Sequence, residues 1–364
     1  MADDQNWRLE LEEYIRQGEP NQAEKSAVWR AAIGLQDVDG LKISNYLLDT
    51  VKEHIEGSIH ISAVQQRIQN YYEERKDRKA VEDGTMEADM VSARIAEILG
   101  EKTFQFSPAE LQSIHRRLFS GVFDHAGQMR KYNITKREWV LNGDTVLYAA
   151  HDSIWDTLNY DFSEERQYSY KNVTVQDAIK HIVKFASGIW QIHPFCEGNT
   201  RSTAVFIIKY LQSFGFSLNN DVFAENSWYF RNAMVRANYN NLKKGIHATT
   251  EYLELFFENL LMDAHHELKN RYLHVDFGTM DMKQSANQAV SKCKNCTLDC
   301  TLEELAVLRA IADNPQITQK KLAVLIGKSE RTIKTRTVAL QEKGYIRREN
   351  GKRNGRWEIL VELL

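Results

Sequence analysis

Cysteine and proline are both scarce, with four of each in 364 residues. So few cysteines exclude a disulfide framework in a chain of this length. So few prolines, beside long segments with apolar residues at helical spacing, predict a mainly α body. Long hydrophobic runs are missing too. None approaches the roughly eighteen residues a spanning helix needs, and Met1-Ala2-Asp3-Asp4 opens no secretory leader. A cytoplasmic location and no membrane partner are the expectation. Neither sign of charge dominates: the formal net charge is -3, with 43% hydrophobic and 27% charged residues, the composition of an ordinary globular protein. The length exceeds what one small core usually serves, so two or three domains are expected.

The periodicity predicts helices over 7–16, 23–34, 44–56, 62–78, 87–99, 110–120, 149–158, 174–190, 202–214, 228–239 and 250–273. Ser107-Pro108-Ala109-Glu110 reads as a capping box with proline at the first helical position. Three thiols at Cys293, Cys296 and Cys300 lack a fourth ligand at zinc-finger spacing, which disfavours a zinc site. His265, His266 and His274 read as solvated.

The densest chemistry lies in His193-Pro194-Phe195-Cys196-Glu197-Gly198-Asn199-Thr200-Arg201. It stands between two apolar periodic segments, so it reads as a tight connection opening onto a helix start. The first amides of a helix have no intrahelical acceptor and carry the positive end of its dipole, which suits a di- or triphosphate over 198–202. Gly198 lets the backbone approach, Asn199 and Thr200 offer donors, and Arg201 offers a planar fork to phosphate oxygens. Glu197 beside phosphates reads as a hard-oxygen ligand for Mg²⁺. His193 remains as the proton acceptor, since an ordinary imidazole titrates near neutral pH.

These residues resemble the Fic family signature, His-Pro-Phe-x-Asp/Glu-Gly-Asn-Gly followed by arginines. The resemblance implies a helical Fic fold and an adenylyltransferase that moves AMP from ATP onto a hydroxyl side chain, with His193 as base, Glu197 on Mg²⁺ and Asn199 and Arg201 on the phosphates. Phe123 to Ile134 looks like the family's second landmark. Two β-prone runs around Asn142-Gly143 predict a β-hairpin, which in the family is the flap. Val140, Leu141, Thr145 and Val146 would hold a target segment there in extended form. Tyr229 is the expected aromatic against adenine. Two positions depart from the signature: Thr200 replaces a glycine, and Ala204 replaces the closing arginine.

Residues 34–44 and 55–59 resemble the small antitoxin domain that accompanies many Fic proteins, whose Ser/Thr-x-x-x-Glu-Gly motif blocks the closing arginine. Here the motif reads Leu35 and Asp39. With Ala204 opposite, Asp39 is expected to have no arginine to hold, leaving a regulatory segment that braces without a salt-bridge lock.

The polar run 278–299 reads as a linker. Beyond it, helical patterns over 301–312, 318–326 and 329–343 precede two strands around Asn350-Gly351, resembling a winged helix-turn-helix, a small α+β domain. Residues 328–356 hold ten Lys or Arg against three Glu, a net of +7. That asymmetry fits a DNA backbone footprint, with Arg331, Lys334 and Arg336 on or beside the recognition helix and Lys352 and Arg353 in the wing.

The expected organisation is an antitoxin-like segment over 1–75, a Fic catalytic core over 76–277, a linker over 278–300 and a winged helix over 301–364. The expected activity is AMP transfer to a Ser, Thr or Tyr hydroxyl of a target protein or of the chain itself, with ATP and Mg²⁺. The alternative is a DNA-binding regulator whose Fic core senses nucleotide. Oligomeric state stays open, although both folds often pair as homodimers.

Overall fold

The structure, a computed structural model, describes residues 11, 13–14, 22–74, 80–216, 221–277, 298–349 and 355–361. Among them are thirteen α-helices and one two-stranded antiparallel sheet. The amino-terminal helices are α1 (Ala23–Gly34), α2 (Asn45–Glu56) and α3 (Ile61–Glu73). The central body comprises α4 (Ala80–Gly100), α5 (Pro108–Phe119), α6 (Ile154–Gln167), α7 (Val175–Ile192), α8 (Asn199–Ser213), α9 (Val222–Ala237) and α10 (Glu251–Met262). The carboxy-terminal part holds α11 (Leu302–Asp313), α12 (Gln319–Ile326), α13 (Glu330–Glu342), β1 (Ile346–Glu349) and β2 (Arg356–Ile359).

Helix α8 is the axis. Every residue from Asn199 to Leu211 is buried, the polar first turn Asn199 to Thr203 and Lys209 as well as the apolar run from Ala204 to Ile208. Each large side chain it buries, such as Phe206 or Ile207, contributes about 1.5–3 kcal/mol. Helix α7 packs beside it through one apolar face that includes Ile182, Ile189 and Trp190. It starts where Thr174 accepts from the Asp177 amide at 3.2 Å, and ends where His193 turns left-handed at φ 51. At the start of α5 the Ser107 hydroxyl accepts from the Glu110 amide at 3.1 Å, with Pro108 at the first position as expected.

Several expected ends move. The helix expected to run to 273 stops at Met262, because Asp263 adopts φ 59. The one expected from 149 begins at Ile154 after a 3₁₀ turn over His151–Ser153 and runs on to Gln167. Helix α9 begins before Trp228 and bends at Asn226. The expected helix over 7–16 and linker over 278–299 fall almost wholly outside the described residues.

The carboxy-terminal helices and sheet form a winged helix, with Arg348 paired across the sheet to Trp357. It is stitched to the body: the Val175 amide donates to the Cys300 carbonyl at 2.9 Å, and Arg309 donates to the Leu260 carbonyl at 2.8 Å. Cys293 and Cys296 lie outside the described residues. Cys300 is buried, and burial pushes its thiol up to about 12. Among the described residues no helix is long and apolar enough to cross a membrane.

Candidate active site

The loop between α7 and α8 is closed by its own residues. The Phe195 amide donates to Asn199 Oδ1 at 3.0 Å, and Asn199 Nδ2 donates to the Phe195 carbonyl at 2.8 Å. Asn199 is thus a clip holding the loop, not the free phosphate donor expected. Thr200 is also turned inward, where its Oγ1 accepts from Trp190 Nε1 at 2.9 Å. Gly198 has φ 71, and a Cβ there would lie 2.4 Å from a ring carbon of Phe119. The close approach that demands glycine is therefore to Phe119 beneath the loop.

His193 is 4% exposed. Its Nδ1 lies 3.2 Å from the Trp190 carbonyl. A carbonyl only accepts, so Nδ1 carries the proton and Nε2 the lone pair. Nε2 is buried and has no hydrogen-bond partner among the described residues. Burial, then the nearby Lys136 ammonium, holds the imidazole well below its ordinary range. The ring is neutral at pH 7, with the lone pair on Nε2. Tyr148 flanks it, with ring centroids 4.3 Å apart.

Two residues fix this geometry that the sequence reading did not assign. Arg130, 2% exposed, donates to the His193 carbonyl at 2.8 Å, to Ile192 at 3.2 Å and to Tyr132 at 2.9 Å, and also to Ala149. His115 Nδ1 accepts from the Gly127 amide at 2.8 Å, so its Nε2 carries the proton and donates to the Glu197 carbonyl at 3.0 Å. Its ring stacks on Phe195 at 3.8 Å, and burial lowers it to about 4. Arg130 lies within the 123–134 landmark. His115 carried no signal in one sequence, because its partners are 12 and 82 residues away.

The Glu197 carboxylate is 58% exposed and pairs with Lys136 at 2.9 Å. Among the described residues no group of three or more His, Cys, Asp or Glu could hold a metal. A single open carboxylate beside a helix start suits Mg²⁺, which takes one or two protein carboxylates and completes its shell with phosphate and water.

Arg201 is 2% exposed and held by three side chains: Nη2 donates to Glu87 at 2.6 Å and Nη1 to Gln36 at 3.1 Å, while Nε lies 2.9 Å from Asp39 as an ion pair without hydrogen-bond alignment. Its guanidinium lies over the Phe119 ring at 4.8 Å. The expectation that Asp39 lacks an arginine is overturned. Asp39 closes a 3₁₀ turn that ends at left-handed Gly40, and this places its carboxylate on Arg201 rather than on position 204. Ala204 is wholly buried.

The expected flap hairpin is replaced by a turn. Asn142-Gly143 does reverse the chain, with the Gly143 amide donating to Glu138 at 3.0 Å and the Glu138 amide to Asp144 at 2.9 Å. Trp139–Leu141, however, winds into a 3₁₀ turn. Val140, Leu141 and Val146 are buried and offer no docking edge. Thr145 is half-buried, its Oγ1 accepting from the Lys136 amide at 3.3 Å. Tyr229 is also core, 2% exposed, with its hydroxyl on the Tyr252 carbonyl at 3.2 Å. The aromatic stripe of α9 packs Phe223, Tyr229 and Phe230 into the interior, while Trp228 stays half-buried.

In the winged helix much of the +7 is neutralised by acids, several from outside the 328–356 window. Glu303 holds Lys328 at 3.1 Å and Arg336 at 2.9 Å. Glu304 holds Lys343 at 2.9 Å, and Glu358 holds Arg347 at 2.6 Å. Arg336 is thus spent within the domain. Arg331 and Lys334 on α13 are exposed and make no ion pair with described residues. Lys352 and Arg353 lie outside the described residues.

Residues 105–211 match the Fic/DOC family. Residues 304–347 match a winged helix-turn-helix DNA-binding family. Among solved structures the chain is similar to a Fic family protein from Desulfovibrio desulfuricans G20, at 13% identity over 98% of this chain and 95% of that one, with a TM-score of 0.42. The loop that seats His193 and the basic helix that carries Arg331 each fall inside one of these matches, and the chain carries a Fic/DOC domain over 105–211 joined to a carboxy-terminal winged helix-turn-helix over 304–347.

Proposed function

We propose that the Fic domain transfers AMP from ATP to a hydroxyl of a protein, either a partner or the chain itself. The observation that carries this reading is the buried His193 imidazole, neutral, with its Nε2 lone pair uncommitted at a loop that opens onto a buried helix start. The acceptor hydroxyl gives its proton to Nε2, its oxygen bonds to the α-phosphorus, and the bond from that phosphorus to the β-phosphate oxygen breaks with the electron pair leaving on pyrophosphate. Mg²⁺, when bound at Glu197, supplies neutralisation of phosphate charge. The first amides of α8 carry the positive end of the helix dipole, which favours anions. Removing His193 as His193→Ala should lower transfer of label from α-labelled ATP by at least about 100-fold. Because the imidazole is held well below its ordinary range, it stays unprotonated as pH falls, and transfer should not drop between pH 8 and 6 on its account.

Arg201 is the regulatory element in this reading. It meets phosphate only by exchanging one of its partners Asp39, Glu87 and Gln36 for it, so the amino-terminal turn restrains the site. The winged helix takes duplex DNA through α13. Replacing Arg331 and Lys334 together by alanine should reduce the slope of log affinity against log salt by about 1.8, since each phosphate contact contributes roughly 0.9. Arg336→Ala should leave the slope near the parent value, because Glu303 already neutralises that side chain. Equal losses from both variants would contradict the assignment of the DNA-facing side.

A further inference from the structure

The cations around the α7–α8 loop are almost all committed. Arg130 is spent on backbone carbonyls. Arg201 is held by Asp39 and Glu87. Arg231 lies 2.7 Å from the buried Glu138 carboxylate. Position 204, where the family signature has its closing arginine, is a buried alanine. Lys136 differs: its one ion-pair partner among the described residues is Glu197, the exposed carboxylate suited to metal.

The placement of Lys136 is not casual. Its amide is tied to Thr145 Oγ1 across the Asn142-Gly143 reversal, which sets the base of the side chain beside the loop. Its charge is also felt at the buried His193 ring, so the ammonium lies near the proton acceptor as well as against Glu197. A metal ion at about 2.1 Å from a carboxylate oxygen leaves no place for an ammonium on that oxygen, and two cations repel. A lysine so displaced has a flexible stem and three rotatable donors, which suit a mobile grip on phosphate oxygens.

We propose that Lys136 is a phosphate-binding residue of this site, competing with metal for Glu197 and, once displaced, gripping the terminal phosphates of the nucleotide in place of the arginine missing at 204. This rests on the nucleotide-transfer reading above. It predicts effects of opposite sign from one substitution. With Mn²⁺ as the probe, free-ion electron paramagnetic resonance should show Lys136→Met binding the metal at least threefold more tightly than the parent chain. Calorimetry with α,β-methylene-ATP at saturating Mn²⁺ should show the same variant binding about tenfold more weakly, while Lys136→Arg stays within threefold of the parent. AMP, which has no terminal phosphates, should bind both chains alike. A parent chain that binds no nucleotide analogue would remove the nucleotide reading and this proposal together. A parent that binds the analogue no better than Lys136→Met, or a variant that weakens metal and nucleotide alike, would overturn the role of Lys136 alone. Thermal midpoints of both variants, expected near the parent value because the side chain is partly exposed, establish that each is folded.

Discussion

Replacing Asp39 by alanine should raise self-labelling from α-labelled ATP at least tenfold. Arg201 is almost completely buried, and three side chains share its guanidinium. Two of them, Asp39 and Gln36, come from the short turn between α1 and α2, and Glu87 comes from α4. Loss of Asp39 frees Nε while Glu87 still neutralises the charge, so the arginine can exchange a shared partner for phosphate. Asp39 itself is 41% exposed, and the buried Arg201 keeps Glu87 and Gln36 when it goes, so no buried charge is left unpaired. The fold should therefore tolerate the change, with a midpoint within a few degrees of the parent. Asp39→Asn, which keeps an acceptor but no charge, should fall between. Unchanged labelling by a folded Asp39→Ala chain would mean that the amino-terminal turn braces Arg201 without restraining transfer.

Gly198→Ala should cost the protein roughly 3 kcal/mol and abolish measurable transfer. Two penalties act together. A left-handed φ of 71 is strained for alanine, and the added Cβ would sit 2.4 and 2.5 Å from two ring carbons of Phe119, far inside contact distance. The loop cannot slide away, because Asn199 clips it from within and His115 holds the Glu197 carbonyl from below. Pushing it outward would break these bonds and move Glu197. Combining the substitution with Phe119→Leu should restore part of the loss, since it removes the ring contact but not the backbone strain. Unfolding in urea measures both variants and the pair. Strict additivity would show that Phe119 is not what demands glycine at 198.

The 193–201 stretch was legible because its residue types are chemically improbable as packing, and two apolar periodic runs bracket it. The roles within it were less so. Asn199 and Thr200 read as phosphate donors because sequence alone does not show that an amide four residues from Phe195 satisfies that residue's own backbone, or that an indole on α7 needs an acceptor. Val140, Leu141 and Val146 looked like strand residues on an edge. Their apolar side chains were instead drawn into the core, and the Val140 carbonyl was taken by the Val275 amide at 2.9 Å. Asp39, His115 and Lys136 act on the site across 162, 82 and 61 residues of chain respectively. Such partnerships exist only once helices pack, which is why the arginine opposite Asp39 is Arg201 although the family signature points to position 204. The wing's charge misled for the same reason, since Glu303 on α11 neutralises Lys328 and Arg336.

Parallel incubations with α-labelled and γ-labelled ATP test the central assignment most directly, using the Asp39→Ala chain with and without His193→Ala. Protein-bound label should come from the α position alone and be lost when the imidazole is removed. Label from the γ position, or α label that survives without His193, would contradict it.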